Sequence, residues 1–396
     1  MVLCAVVALV AVGYQRVTRP LPVPPVSLAA MSSVPAAGGA PFTFPASARQ
    51  SSVAVDGVTG SWDSGAQRAV PIASVTKIMT AFLVLHDHPL ASDSADGPAI
   101  TVSEDDFEEY QHDVADGDSN AAVAAGEKLS ERDALEALML PSADNIAEML
   151  ARWDAGSVAA FAAKMNAEAR TLAMTHTDYT DPSGLSASTV STSRDQLILV
   201  QQAMTVPAFA HIVALPSATV PVAGTIANYN HQVGTNGILG VKTGSDSAAQ
   251  GCWAFAVQRT IAGAQRVVYG VVLGATYTIS DPVGPAISGG VSLADSASKA
   301  IRAVTVLPAG TVVARIWVPW SSRSVPVVTT RTIAGLLGPG TTVSLRASVP
   351  SPGTRFRSGQ QVGTVVATGL TGVTSSPVVT QGAAGTPSFK WRLTRS

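Results

Sequence analysis

Apolar and polar positions divide this 396-residue chain into stretches of different period. Residues 2–13 (VLCAVVALVAVG) are apolar and uncharged. The run falls short of the roughly 20 residues a spanning helix needs. No Lys or Arg precedes it, and no small-x-small cleavage site follows directly. Arg16 and Arg19 come after it, where the positive-inside bias favours a cytoplasmic C-terminal side. Two expectations follow: an anchor that begins further upstream in a longer reading frame, or an atypical signal peptide. Residues 17–48 hold seven prolines together with Gly38 and Gly39, and are expected to form an extended, semi-rigid spacer.

Beyond residue 48 the pattern becomes that of a folded domain. QSSVAVDG (50–57) alternates weakly and stops at a glycine, which predicts a strand. After Pro71, Val75, Ile78, Met79 and Phe82 recur on one helical face. Helical patterns return around 131–140, 144–153 and 157–173, the last marked by Val158, Phe161 and Met165. From 238 the texture changes to strands: ILGVKTG, GCWAFAVQ and QRVVYGVVLGA, with Gly263 suited to a hairpin turn between the last two. A strand opens the region, helices fill it and strands close it. This order predicts an α+β fold, a sheet built from both ends of the region with a helical insert. In residues 305–396, Val/Thr-rich runs (TVVARIWV, PVVTT, TTVSLRASV, QVGTVVAT) alternate with Gly/Pro turns, predicting a small all-β sandwich or barrel. The expected organisation is an apolar anchor or signal segment at 1–16, a linker at 17–48, one domain at 49–300 and a basic all-β domain at 305–396.

Composition sharpens this picture. Apolar residues make up 46% of the chain and charged residues 13%, which excludes a disordered protein. The net charge of −2 hides an imbalance: residues 301–396 carry ten Lys/Arg and no Asp or Glu, so the other 15 bases and all 27 acids lie in residues 1–300. Cys4 and Cys252 are too few for a disulfide framework or a Cys-rich zinc module, and H-E-x-x-H is absent among the six histidines. No cofactor or metal is expected, and no nucleic-acid partner.

Three short motifs carry chemistry. Ser74-Val75-Thr76-Lys77 opens the first helix. Residues three apart share a helix face, so Lys77 lies beside the Ser74 hydroxyl, where a neutral amine could take its proton. Read alone, this is equally a helix-start serine followed by a solvated lysine. Lys242-Thr243-Gly244 ends an apolar strand run. There an edge can hold an extended peptide, Thr243 can bind a carboxylate, and Gly244 lets a ligand backbone approach. Pro141-Ser142-Ala143-Asp144-Asn145 separates two helical patterns, and in isolation Ser142 reads as an N-cap.

The order of these motifs resembles penicillin-recognising serine enzymes, and more closely the serine-type D-alanyl-D-alanine carboxypeptidases, the low-molecular-mass penicillin-binding proteins. The similarity covers about residues 48–300 and runs through PIASVTKIMTA (71–81), GEKLSERDALEALMLPSADNIAEMLA (126–151), FAAKMNAEARTLAMTHTDYTDPSGL (161–185), STSRDQ (191–196) and VKTGSDSAAQGCWAFA (241–256). The resemblance implies a β-lactamase/transpeptidase-like antiparallel sheet packed between helices, with a helical subdomain. It also implies Ser74 as acylated nucleophile and Lys77 as its general base. Ser142 would relay a proton to the leaving amine with support from Lys242, and Thr243 would hold the substrate carboxylate. The N–H of Ser74 and one from the strand after Gly244 would form the oxyanion hole. The implied substrate is a peptidoglycan stem peptide losing its terminal D-Ala, with β-lactams as covalent inhibitors. The implied location is extracytoplasmic, tethered to the membrane by the N-terminus or secreted.

One departure stands out. The family places Asn at the third position of the central motif, where this chain has Asp144 followed by Asn145. An Asn amide can donate to a substrate carbonyl and an ionised Asp cannot; Asn145 is therefore expected to take the substrate-binding role after a small backbone shift. Two rivals remain. A class A β-lactamase would need Glu with Asn four residues later, a spacing this chain lacks. A diverged, non-catalytic cell-wall-binding module is suggested by Asp144. His86-Asp87-His88 and the acidic stretch Glu104–Glu109 are expected to be solvated. The basic 305–396 region could contact anionic wall polymers or lipid headgroups.

Overall fold

The computed structural model describes residues 2–31, 34–35 and 40–395; Gly38 and Gly39 of the expected spacer lie outside the described residues. The chain forms two units, Ala40–Ala300, and Met1–Gly39 together with Ile301–Ser396.

In the larger unit, strands β1 (Gln50–Val55) and β2 (Ser61–Asp63) precede a helical region. Its helices are α1 (Lys77–Asp87), α2 (Glu104–Asp116), α3 (Glu131–Met139), α4 (Asp144–Ala155), α5 (Val158–Thr171) and α6 (Ser193–Ala203). Strands β3 (Ile238–Asp246), β4 (Gln250–Ile261) and β5 (Ala264–Ala275) follow, and α7 (Gly284–Ala300) ends the unit. The five strands form one antiparallel sheet in the order β3-β4-β5-β1-β2. Both ends of the region thus supply the sheet, and β3 is left at an edge. The β4–β5 hairpin turns on Ala262 and Gly263, both with positive φ (50° and 82°), the backbone that two-residue hairpins prefer.

Side chains alternate across β4, as a pleated strand requires. Trp253 and Phe255 stack with centroids 4.7 Å apart, and Gly290 of α7 leaves room for them. Cys252, Ala254 and Ala256 belong instead to the core shared with α1, α4 and α6. Helices therefore cover both faces. All six residues of β1 are buried for this reason, and the weak alternation of QSSVAV does not become an exposed face. Its buried serines are satisfied, Ser52 Oγ lying 2.8 Å from Ser193 Oγ and Ser51 N 2.8 Å from Ser64 Oγ.

Local chemistry sets the helix starts. Ser103 and Ser130 form reciprocal capping boxes with Asp106 and Asp133, while Ser157 and Thr192 cap α5 and α6. Ser142 does not cap α4: the cap position is Ala143, and Ser142 sits one residue earlier at a positive φ of 67°. The acidic face at 104–109 is not wholly solvated either. Asp106 is buried because it closes its capping box and accepts from Arg152 Nε at 2.9 Å.

In the smaller unit, residues 302–380 supply most strands of a seven-stranded and a three-stranded sheet around a Val/Ile/Leu core. Val26–Leu28, inside the stretch expected as a spacer, pairs antiparallel with Ala314–Ile316. The unit also contains an N-terminal helix, Val2–Thr18, and a C-terminal helix, Phe389–Thr394. Among the described residues no single helix is long and apolar enough to cross a membrane.

Candidate active site

Ser74 lies in a one-turn 3₁₀ helix, Ala73–Thr76, that runs directly into α1. At three residues per turn, Lys77 stands directly beneath it. The Lys77 Nζ lies 3.1 Å from Ser74 Oγ. Neighbours on α1 are apolar, so Lys77 is fully buried, and its amine also bonds Asp144 Oδ1 (2.6 Å) and the carbonyl of Ser183 (2.9 Å).

The Ser183 carbonyl is held in place by a tight turn. Asp181 Oδ2 accepts from Ser183 Oγ (2.7 Å), Gly184 N (2.6 Å) and Leu185 N (2.9 Å), and Thr80 Oγ1 donates to the Pro182 carbonyl (2.6 Å). Gly184 adopts φ +84°, and a Cβ there would fall 1.9 Å from the Ala73 carbonyl oxygen. Only glycine lets this turn press against the start of the Ser74 helix. Upstream, Asn166 of α5 grips Tyr179 at its N–H (2.9 Å) and C=O (2.7 Å). Helix α5 and the 179–185 turn that follows it thus act together as a buttress for Lys77.

Edge strand β3 brings the third motif alongside. A Cβ on Gly244 would lie 2.8 Å from Ser74 N and 3.0 Å from Val75 N, so the two backbones meet with no room for a side chain. Ser74, Ser142, Thr243 and Gly244 line one cleft of about 410 Å³, with Tyr229, His231 and Asp281 among its other walls. Lys242 is buried and donates to the Thr243 carbonyl at 2.9 Å. Burial, and then the Lys77 charge, hold its amine well below the usual lysine range, with Asp144 opposing.

Asn145, expected in the substrate-binding role, is buried and directs its amide to the backbone. Its amide bonds Ala121 on both sides, Nδ2 to the carbonyl at 3.0 Å and Oδ1 from the N–H at 3.1 Å. Asp144 meets Lys77 instead. Adjacent residues on a helix point about 100° apart, so the first turn of α4 turns only one of the pair to Lys77. The carboxylate there also raises its neighbours. Asp113 is pushed up to about 7, chiefly by burial and then by Asp144. Asp118 is raised by burial, Asp144 and Asp116, with Lys77 opposing.

Sequence reasoning missed the cleft walls Tyr229, His231 and Asp281. For the first two a signal existed. Asn228-Tyr229-Asn230 is a turn-forming pattern, and Asn230 N bonds Asn228 Oδ1 (2.9 Å) while Gln232 N bonds Asn230 Oδ1 (3.2 Å). The histidines of His86-Asp87-His88 lie against carboxylates: His86 Nδ1 2.8 Å from Asp87 and His88 Nε2 3.3 Å from Asp154. Among the described residues no group of three or more His, Cys, Asp or Glu side chains suits a metal ion.

Comparison with known proteins agrees with this geometry. A family model described as D-alanyl-D-alanine carboxypeptidase matches residues 41–277. The chain is 35% identical over 221 residues to a D-alanyl-D-alanine carboxypeptidase of Streptomyces sp. strain K15, covering 51% of this chain and 72% of that one. It is 34% identical over 151 residues to a D-alanyl-D-alanine endopeptidase of Pseudomonas aeruginosa, covering 38% of this chain and 45% of the relative's length. The fold is shared with the crystal structure of the D-alanyl-D-alanine carboxypeptidase DacD from Francisella tularensis (TM-score 0.59, 19% identity, 88% of this chain and 98% of that one).

Proposed function

This chain belongs to the D-alanyl-D-alanine carboxypeptidase family, a family of serine-type DD-peptidases, and we propose that its own reaction is removal of the terminal D-Ala from peptidoglycan stem peptides through an acyl-enzyme on Ser74. The observation that carries this reading is the buried Lys77 amine 3.1 Å from Ser74 Oγ, with the Gly244 backbone closed against Ser74 N. In this scheme Lys77, in its neutral amine form, takes the hydroxyl proton as Oγ attacks the penultimate D-Ala carbonyl. The tetrahedral oxyanion is received by the Ser74 N–H and an N–H of β3. The C–N bond then breaks, and the leaving D-Ala amine gains its proton through Ser142. Lys242, whose hold on its own proton is weakened, supports that relay. Thr243 binds the terminal carboxylate. Water attacks the ester in the second half-reaction and regenerates Ser74. β-Lactams would form the same ester and block the site. The protein would work outside the cytoplasm, tethered through the N-terminal helix.

A second reading, a wall-binding module without turnover, is favoured by one observation: a carboxylate occupies the Asn position of the central motif. Incubation with a fluorescent penicillin, intact-mass mapping of the adduct and a D-Ala-release assay separate the two. The proposal requires label on Ser74, its loss in Ser74→Ala, and D-Ala release. Absence of labelling would favour the binding module, and an adduct on another residue would end the assignment.

A further inference from the structure

Charge is segregated between the two units. The unit formed by Met1–Gly39 and Ile301–Ser396 contains twelve Lys/Arg and no Asp or Glu, while the other holds thirteen bases and all 27 acids. Five of the twelve cations come from two short helical ends that meet. The C-terminal helix Phe389–Thr394 packs beside the N-terminal helix Val2–Thr18, with Leu393 approaching Gly13. Arg392 Nη1 donates to the Val17 carbonyl (2.8 Å) and Arg16 Nη1 to the Leu393 carbonyl (3.2 Å). Arg395 bonds the carbonyls of Arg16 (2.9 Å), Pro20 (3.2 Å) and Arg19. These are the carbonyl-rich helix ends that cations favour.

Among the described residues no ion pair includes Arg16, Arg19, Lys390, Arg392 or Arg395, and the unit has no acidic side chain to offer one. Desolvation, and then the charges of Arg392 and Arg19, lower the affinity of Arg395 for its proton. The cations therefore gather at a cost that an external anion would offset. Aromatic rings accompany them: Arg395 lies 5.5 Å over the Trp391 ring, and Trp391 packs edge-on to Trp320 at 6.1 Å. Arg19, Pro20, Pro22, Trp391 and Arg395 line a recess of about 330 Å³.

Directly above this collar stands the apolar part of the N-terminal helix, exposed on every side: Leu3 is 77% accessible, Leu9 72% and Val10 66%. Its uncharged residues 2–13 rise about 18 Å at 1.5 Å per residue, enough to reach well into a roughly 30 Å hydrocarbon core. A soluble anionic polymer would complement the charges but leave that stem in water; an anionic bilayer complements both.

We propose that the two terminal helices form a single docking element for an anionic lipid bilayer, the N-terminal stem entering its hydrocarbon and the Arg/Lys/Trp collar meeting the headgroup phosphates. The inference rests on the extracytoplasmic, tethered placement proposed above and not on the chemistry of Ser74.

Sedimentation of the full chain with vesicles of phosphatidylglycerol and phosphatidylcholine at 1:3, against pure phosphatidylcholine, tests it. Binding to the anionic vesicles should be at least about tenfold tighter. A basic residue near such a surface contributes about 1 kcal/mol, so Arg392→Gln/Arg395→Gln should weaken binding roughly 30-fold and Lys390→Gln about fivefold. Among the described residues Lys390 makes no side-chain bond within the helix pair, so its variant keeps the test valid if the double variant loosens the helices. Equal binding to both vesicles overturns the proposal, as do unchanged affinities in the variants. Binding to soluble polyglycerol phosphate without preference for vesicles overturns it in favour of a wall polymer. Penicillin labelling in the same samples should not change, so failure here is distinguishable from failure of the Ser74 assignment.

Discussion

Replacing Asp144 by Asn should speed acylation of Ser74. Asp144 lies 2.6 Å from Lys77, with 9% of its side chain exposed. It faces the amine that lies 3.1 Å from Ser74 Oγ, but a carboxylate offers acceptors only. A ligand amide carbonyl arriving beside it therefore meets an acceptor, where an Asn amide would donate. Leaving a buried carbonyl without a donor costs about 1–3 kcal/mol and a formed hydrogen bond contributes about 0.5–1.5 kcal/mol. Taking about 1.4–2.8 kcal/mol for the exchange, Asp144→Asn should raise the second-order acylation constant roughly 10- to 100-fold. The assay is stopped-flow or gel-resolved labelling with a fluorescent penicillin, with thermal unfolding run alongside. A folded Asp144→Asn variant that labels no faster than the parent refutes the reasoning. Asp144→Ala provides the contrast. Unlike Asn, which keeps an oxygen acceptor for Lys77 Nζ, Ala leaves the fully buried amine with no side-chain acceptor at that position and should lose about 3–5 kcal/mol of stability, read in denaturant unfolding.

Gly244→Ala should cut acylation at least about 100-fold, the scale of losing one oxyanion donor, because its Cβ would fall 2.8 Å from Ser74 N; near-parental labelling would show that the strand does not close on the nucleophile. Asn145→Ala should act on stability, losing about 2–4 kcal/mol as the buried bonds to Ala121 disappear. Parental stability with lost labelling would restore Asn145 to the cleft. Glu131, buried with neither carboxylate oxygen bonded, is pushed up to about 7 from 4.5 by burial. The folded form then keeps a proton that the unfolded form has released, so stability falls as pH rises from about 4.5 to about 7 and stays reduced above. Glu131→Gln should shallow that slope and raise Tm above pH 7, and an unchanged Tm profile would refute it. Asp113, pushed up to about 7 chiefly by burial, contributes a slope of the same sign.

Much of the fold was legible because periodicity and punctuation are local. The 3.6-residue recurrence at Val75–Phe82, the Val-rich runs of 238–275 and the glycine at 263 each act over a few neighbours. The spacing of Ser74 and Lys77 likewise needed only helical geometry, and the order of the three motifs was enough to suggest the family. The pattern of 50–57 misled only in its alternation, since helices on both faces bury every residue of that strand.

The tertiary structure decided what depends on orientation across elements. Asp144 and Asn145 are neighbours in sequence, and only the rotation of α4 against Lys77 and Ala121 tells which one meets the amine. The carbonyl of Ser183 joins the site because Gly184 can touch Ala73, and the Tyr229–His231 wall because Asn228 and Asn230 fold a loop back to the cleft. The terminal basic clusters were visible as charge along the chain, but their convergence at the foot of one apolar helix is a long-range fact. Sequence specifies the chemistry of each side chain and its near neighbours; which of those side chains share a few ångströms is set by packing between segments that lie tens to hundreds of residues apart.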